Sequence, residues 1–330
     1  MKYTALIRTY NSFPLVAEVV AALRAQAIPP HKIIAVDSNS KPEQRAALEG
    51  IFDRVIDYPP EPFNYSKAIN IGMEECDTEY VLIISSHVVL QDRFLISYGI
   101  NSIKNEGGLC LGCCFNPGGD TEKVYGLTRV DKKNFSLLLG LSNSCAFLKK
   151  QYIVDRPFRE DVFSAEDQEW AAYYLRNHDA SFFSFHSIHV KYLNPNVNEL
   201  KTLNEFISMA YFTHPELRGP KYILPRLGRA FLALLRNRPE RARMHMTMAT
   251  ELFLTNFRKP VRRSTYYDSE ATSSKSAEKA AGSVDQIHGM DKSNITEIYR
   301  HDTLLDNAPT IILDRMTAND RKQPLRSSLK

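Results

Sequence analysis

Apolar residues in the first part of the chain fall in short runs, and each run stops at small polar or charged residues. YTALI (3–7) ends at Arg8-Thr9-Tyr10-Asn11, KIIAV (32–36) ends at Asp37-Ser38-Asn39-Ser40, and the unbroken run Tyr80–Ile84 ends at Ser85-Ser86-His87. All three read as strands, and the length and β-branched content of Tyr80–Ile84 are those of a strand buried on both faces. Between the first two, Leu15, Val16, Val19, Val20 and Leu23 recur at helical spacing after Pro14, with Asn11 or Ser12 as cap. A short helix opens at Pro42 and runs through Glu49. This βαβα beginning predicts a parallel sheet with helices on its faces.

The pattern continues with a strand over Arg54–Asp57, a proline-stiffened loop YPPEPFN, and a helix over Tyr65–Cys76 that carries Lys67 and Asn70 near its start. A helix from about Asp92 to Asn105 and a cysteine-rich strand, LCLGCCF, follow. The polar, glycine-containing stretch 116–133 reads as a flexible loop over a cleft, and Gly140–Leu148 as a strand returning to the sheet. Ala165-Glu166-Asp167 opens a helix whose packed face is Trp170, Ala171, Tyr174 and Leu175. SFFSF and IHVKYL are strand-like, with His186 and His189 among them. From about Glu199 to Phe257 the pattern is helical, and beyond Pro260 a Ser/Lys/Ala-rich stretch reads as disordered linker, with one apolar island, TIIL, at 310–313.

Composition adds limits. The 330 residues are 43% hydrophobic and 24% charged, ample for one large core. No apolar run approaches the roughly 20 residues that cross a bilayer, and the first residues lead straight into a strand, which predicts a cytoplasmic protein. Of five cysteines, three crowd one strand, where alternating positions suit small core residues better than a zinc site. Charge is uneven: Arg218–Arg263 holds twelve Lys/Arg against Glu240 and Glu251, which leaves the remainder net acidic. That asymmetry predicts an acidic partner for the C-terminal region, membrane phospholipid or nucleic acid, although a helical cap packed on the sheet domain accounts for the same pattern.

Ligands of open α/β sheets sit at the carboxyl ends of strands, which places Ser85-Ser86-His87, with Asp92 close behind, for chemistry. The plainer alternative is a histidine that caps a turn. Acidic residues in a first helical turn, such as Glu166 and Asp167, are often only dipole partners. Neither GxGxxG nor GxxxxGK[ST] occurs, so any phosphate is held by other means.

LIRTYN, VDSNS, YSKAINIG, IISSH, SNSCAFL and FSAEDQEWA, taken in order over about residues 3–193, resemble the family 2 glycosyltransferases of the GT-A fold. The likeness is nearest to bacterial members that build surface polysaccharides, rhamnosyltransferase-like proteins included. It implies an α/β, nucleotide-diphospho-sugar transferase domain, Rossmann-like, over 1–198: a mixed, mostly parallel sheet flanked by helices. A basic amphipathic helical extension (199–258) and a largely disordered tail (259–330) follow.

The resemblance further implies an inverting transferase that moves a sugar from a nucleotide-diphosphate donor to a glycan or lipid-linked acceptor in surface polysaccharide biosynthesis. Asp167 would be the general base, with Glu166 orienting it or the acceptor. Arg8, Thr9, Asn11, Asp37, Lys67 and Ser86 would bind the donor nucleotide; Asn143 and Trp170 would shape the sugar pocket. Family members usually carry Asp-x-Asp at the strand end to hold a divalent cation, Mn²⁺ or Mg²⁺. Here the triplet is Ser85-Ser86-His87, nearer the Asp-Ser-His of the polypeptide N-acetylgalactosaminyltransferases, so by that analogy His87 and His189 would be the metal ligands. Metal-independent transfer, with Lys67 or an arginine against the leaving diphosphate, stays open. The protein would be peripheral on the inner face of the plasma membrane. The rival readings are an inactive transferase-like protein that binds glycan or serves as a scaffold, a nucleic-acid binder, which the acidic sheet domain disfavours, and a nucleotidyltransferase, which the missing Gly-rich phosphate loop disfavours.

Overall fold

A computed structural model of the chain describes residues 2–113, 127–137, 139–185, 189–193 and 199–264. Residues 1–196 with 203–265 form one compact unit, and 197–202 with 266–330 are grouped apart. Of the expected tail, 265–330 lies outside the described residues, as do Cys114, His186 and the part 116–126 of the expected cleft loop.

Strands β1 (Tyr3–Thr9), β2 (Lys32–Asp37), β3 (Arg54–Asp57) and β4 (Tyr80–Ser85) are parallel and lie in the order β3-β2-β1-β4. Helices α1 (Leu15–Arg24), α2 (Pro42–Glu49) and α3 (Tyr65–Glu74) connect them. The sheet continues through β8 (Ser142–Lys149), β6 (Cys110–Cys113), β9 (Phe182–Phe185) and β7 (Thr128–Val130). β8 runs antiparallel to both β4 and β6, and β9 is parallel to β6. The result is an eight-stranded sheet, mixed and mostly parallel as the family resemblance implied, with the parallel part that the run pattern predicted. Tyr80 to Ile84 are all buried, as a central strand covered on both faces requires. The three described cysteines of β6 and β8, Cys110, Cys113 and Cys145, are buried in this core outside any disulfide.

Close packing sets the helix positions. A Cβ at Gly72 of α3 would lie 2.3 Å from Leu6 Cδ1 and 2.9 Å from Val36 Cγ2, so α3 approaches β1 and β2 as only glycine allows. Helix α6 (Glu166–Asn177) buries Trp170, Ala171, Tyr174 and Leu175.

Two elements were not anticipated. The chain reverses at Ser86-His87 into β5 (Val88–Leu90), which pairs antiparallel with β10 (Val190–Tyr192) as a separate two-stranded ribbon. Residues 127–133, expected within the loop over the cleft, include β7, which pairs with β9 at the sheet edge. Helix α4 (Leu95–Lys104) and the short α5 (Lys150–Asp155) complete the sheet region. The C-terminal part is helical as expected: α7 (Glu199–Phe212), a 3-10 turn at Pro215–Arg218, then α8 (Pro220–Leu235) and α9 (Pro239–Leu254) packed as a hairpin.

Candidate active site

The order β3-β2-β1-β4 leaves a crevice where the chain's progression across the sheet reverses, between β1 and β4. Strand register brings the candidate residues to that edge: Arg8 pairs with Ser85 and Thr9 with Asp37. Just beyond, the Ser12 hydroxyl donates to Ser86 Oγ at 3.0 Å.

Asp37 is buried, and its carboxylate accepts from Thr9 Oγ1 (3.0 Å), Ser40 Oγ (2.5 Å) and the Ser40 backbone N–H (3.0 Å). Asn11, in the left-handed region at φ 45°, donates its backbone N–H to Ser40 Oγ and accepts from the Lys41 N–H through Oδ1. Thr9, Asn11, Asp37 and Ser40 thus form one interlocked turn, its carboxylate held rigid before any ligand arrives. Ser40 stood in the expected VDSNS segment, but nothing in the sequence singled it out.

The second cluster is built on α6 and β8. Ala165, which precedes α6, has φ 55°, a left-handed conformation that costs alanine about 1 kcal/mol and turns the chain sharply into the helix. Asp167 then accepts the Asn143 backbone N–H on Oδ2 and the Gln168 backbone N–H on Oδ1, both at 2.8 Å. Gln168 Nε2 donates to the Leu141 carbonyl at 2.6 Å and so clamps the start of α6 onto β8. Beside it, buried Glu166 receives Arg8 Nη1 at 3.1 Å and, more weakly, Asn143 Nδ2 at 3.5 Å. The Arg8 guanidinium lies 5.1 Å from the Tyr65 ring centre, a cation–π contact that fixes its second face. Among the described residues the buried Asn143 Oδ1 has no hydrogen-bond partner, which leaves an acceptor beside the carboxylate cluster.

Burial first, and then the charge of Glu166, push the Asp167 carboxyl up to about 7; the two backbone N–H groups pull the other way, and Glu205 of α7 adds further negative charge. A carboxyl poised near neutrality is suited to accept a proton at physiological pH. Tyr65 and Glu205 were not foreseen. Tyr65 lay unremarked in YSKAINIG, and Glu205 gave no signal, because only the fold returns α7 to this edge.

Other candidates stand elsewhere. Trp170, expected to shape the sugar pocket, is fully buried, packs on Phe158 and Tyr174, and donates its indole N–H to the Arg156 carbonyl at 3.0 Å; it is a core residue. Lys67 is ion-paired with Glu61 at 2.5 Å, which raises its pKa. Asn70 brackets the Phe158 backbone through both of its amide atoms.

The histidines expected to share a metal are not brought together. The Leu193 N–H donates to the His87 carbonyl, and the Gln91 N–H to the His189 carbonyl, so the two sit at opposite ends of the β5–β10 ribbon. Four residues of strand separate those ends, about 14 Å. His189 Nδ1 is bonded to Asp92 Oδ2 at 3.0 Å with its ring against Phe185 and Tyr98, which leaves the buried Nε2, without a hydrogen-bond partner among the described residues, as its remaining ligating atom. Ser85 supplies no carboxylate, and the described residues hold no cluster of three or more His, Cys, Asp or Glu side chains placed for a metal ion. The residues named for a divalent cation therefore do not fit one as a set.

Residues 4–152 match the model of glycosyl transferase family 2. Among solved structures, the chain is similar to the mannosyltransferase PcManGT of Pyrobaculum calidifontis in complex with GDP-Man and Mn²⁺, at 13% identity over 86% of this chain and 80% of that one, with TM-score 0.50. The fold is GT-A. S. aureus TarS 1-349 in complex with UDP-GlcNAc matches at 14% identity over 76% of this chain and 92% of its own, with TM-score 0.48. Glucosyl-3-phosphoglycerate synthase of Mycobacterium tuberculosis with Mg²⁺ and UDP matches at 12% identity over 63% and 78%, with TM-score 0.48. No curated protein matches the sequence. In the GT-A domain, the Thr9–Asp37 turn and the Asp167 cluster flank one sheet edge, joined through the neighbouring residues Arg8 and Thr9 of β1.

Proposed function

We propose that this protein is an inverting glycosyltransferase that moves a sugar from a nucleotide-diphosphate donor to a glycan or lipid-linked acceptor, in the assembly of a surface polysaccharide at the inner face of the plasma membrane. The observation that carries the reading is Asp167: a carboxyl raised to about 7, gripped by two backbone N–H groups at the carboxyl edge of the sheet, beside the Arg8–Glu166 pair. The family match over residues 4–152 and the nucleotide-sugar ligand of the Pyrobaculum mannosyltransferase support it.

In this mechanism Asp37, with Thr9 and Asn11 around it and Ser86 at the end of β4, takes the base and ribose of the donor. Ionised Asp167 accepts the proton of the acceptor hydroxyl as its oxygen attacks the anomeric carbon. The bond to the leaving diphosphate breaks with its electron pair going to the phosphate oxygen, and one displacement inverts the anomeric centre. Glu166, fixed by Arg8, keeps Asp167 protonatable, and Asn143 Oδ1 offers an acceptor to a sugar or acceptor hydroxyl. A divalent cation would supply electrostatic stabilisation of the departing diphosphate. The charge this chain itself brings to the edge is Arg8. Calorimetric titration with UDP, GDP and dTDP, each with and without Mn²⁺, tests the donor site: micromolar binding of one names the base. Failure of all three to bind a well-folded sample would overturn transfer in favour of a glycan-binding or scaffolding role.

A further inference from the structure

Helix α8 is one-sided in an unusual sense. Its packed side is small and basic, with Arg226, Ala230 and Ala233 buried, whereas its outer side carries Leu224, Leu227, Phe231, Leu234 and Leu235. Leu224 and Phe231 are 62% exposed, Leu234 57% and Leu235 68%. The spacings of three, four, three and one place all five on a single stripe about 17 Å long. No acidic residue occurs in α8, and exposed Lys221, Arg236 and Arg238 stand at its two ends. A contiguous apolar ridge of this kind marks an interaction surface rather than the scattered apolar residues of an ordinary exterior.

We propose that the α8 ridge is the membrane-docking element of this protein, lying in the headgroup region of an anionic bilayer with its leucines and Phe231 inserted and its terminal basic side chains on lipid phosphates. Charge decides between a bilayer and a protein partner: twelve Lys/Arg against two Glu over 218–263 complement an anionic surface. No helix among the described residues is long and apolar enough to cross a membrane, so the contact is interfacial. Docking would be transmitted to the site. The Arg226 guanidinium lies 5.3 Å from the Phe206 ring of α7, and Ser208 of α7 donates to the carbonyl of Ser164, the residue before Ala165 and the catalytic turn. The ridge thereby holds the α6 turn at a fixed height above the lipid. This purpose rests on the lipid-side acceptor proposed above, but the docking itself is measured without donor or acceptor.

The test is flotation of the full chain with vesicles of phosphatidylcholine alone or mixed with phosphatidylglycerol, at low and high salt. The wild type should float with the anionic vesicles, and less so as salt rises. Phe231→Ser with Leu235→Ser should lower the partition on the order of a hundredfold, and Arg236→Glu with Arg238→Glu by at least about fivefold per charge, with circular dichroism and nucleotide affinity unchanged in both. No flotation of folded wild type, or flotation untouched by the ridge substitutions, overturns the proposal. So does a stable dimer that the same substitutions dissociate in the absence of vesicles, which would make the ridge a self-association face. Vesicle binding without binding of any nucleotide would keep the docking and discard the transferase reading.

Discussion

Asp167→Asn should leave a more stable and inactive protein above neutral pH, and the size of the gain follows from the site. In the unfolded chain the carboxyl ionises near 3.8, whereas in the native state burial and Glu166 hold it protonated to about 7. Between those values the native state keeps a proton that the unfolded chain has shed. Wild-type stability therefore falls as pH rises through this window, by about 1.4 kcal/mol per pH unit, to a total of at most about 4 kcal/mol above pH 7. The substituted amide cannot ionise, and it resembles the protonated acid. One oxygen still accepts from the Asn143 or Gln168 N–H, but the amide nitrogen, unlike the acid's hydroxyl oxygen, cannot accept the other, which costs the variant a pH-independent offset of about 1–3 kcal/mol. Near pH 4 the variant should thus unfold at lower urea than wild type by that offset, and it should gain over wild type with each step of pH toward 7.

Transfer should behave in the opposite way. Removal of a general base costs about a hundred to ten-thousandfold in turnover, while nucleotide affinity, set around Asp37, should hold. In the wild type, transfer should rise with pH up to about 7 and then level, because only ionised Asp167 accepts the hydroxyl proton. Urea unfolding at several pH values, followed by initial rates on the same preparations, reads both effects. A stability difference that does not change with pH would show that Asp167 is an ordinary carboxylate, and retained turnover would remove it from the chemistry.

Arg8→Ala strips Glu166 of its cation at 3.1 Å; we expect a loss of about 3 kcal/mol in urea unfolding and an upward shift in the pH at which transfer switches on, since Glu166 and Asp167 then repel without relief. Asp37→Ala should abolish nucleoside diphosphate binding in calorimetry yet leave inorganic pyrophosphate binding intact, as the proposed role of the carboxylate toward base and ribose requires. Trp170→Phe removes a bonded core indole and should cost about 2–3 kcal/mol in thermal unfolding with donor affinity unchanged; a weakened donor affinity would return the residue to the sugar pocket.

The sheet was legible because its strands are buried on both faces, so that continuous apolar runs such as Tyr80–Ile84 have no competing explanation. The residues at the ends of those runs were legible for the same reason: a parallel sheet delivers every carboxyl end to one edge, and Arg8, Thr9, Asp37 and Ser86 arrive there, whereas Asn143 comes from the start of antiparallel β8 and Glu166 and Asp167 from the first turn of α6. Trp170 failed where two rules met. Its helical phase with Ala171, Tyr174 and Leu175 marked it for the core, and the motif around Asp167 marked it for the pocket; packing against Phe158 and Tyr174 won. Glu205 and Tyr65 were invisible because their place depends on how α7 returns and on how closely α3 sits against β1, which is a matter of Gly72 rather than of either residue.

The histidines show what a motif in sequence leaves undetermined. His87 follows the strand end where a metal ligand is wanted, and His189 lies in a later strand-like segment, so sequence alone permits them to converge. Convergence depends on the register of β5 with β10, fixed by three pairs from Val190 with Leu90 to Tyr192 with Val88. In that register the imidazoles begin from opposite ends of the ribbon, and Asp92, two residues past the end of β5, holds the His189 ring through Nδ1. A register slip of about four residues would be needed to bring them together, and it would pull buried Val88, Leu90 and Val190 from the core that holds the ribbon in place. The packing that makes the ribbon stable is thus what keeps the two histidines apart, and it leaves Arg8, wedged between Tyr65 and Glu166 at the centre of the edge, as the cation that the fold itself supplies to the site.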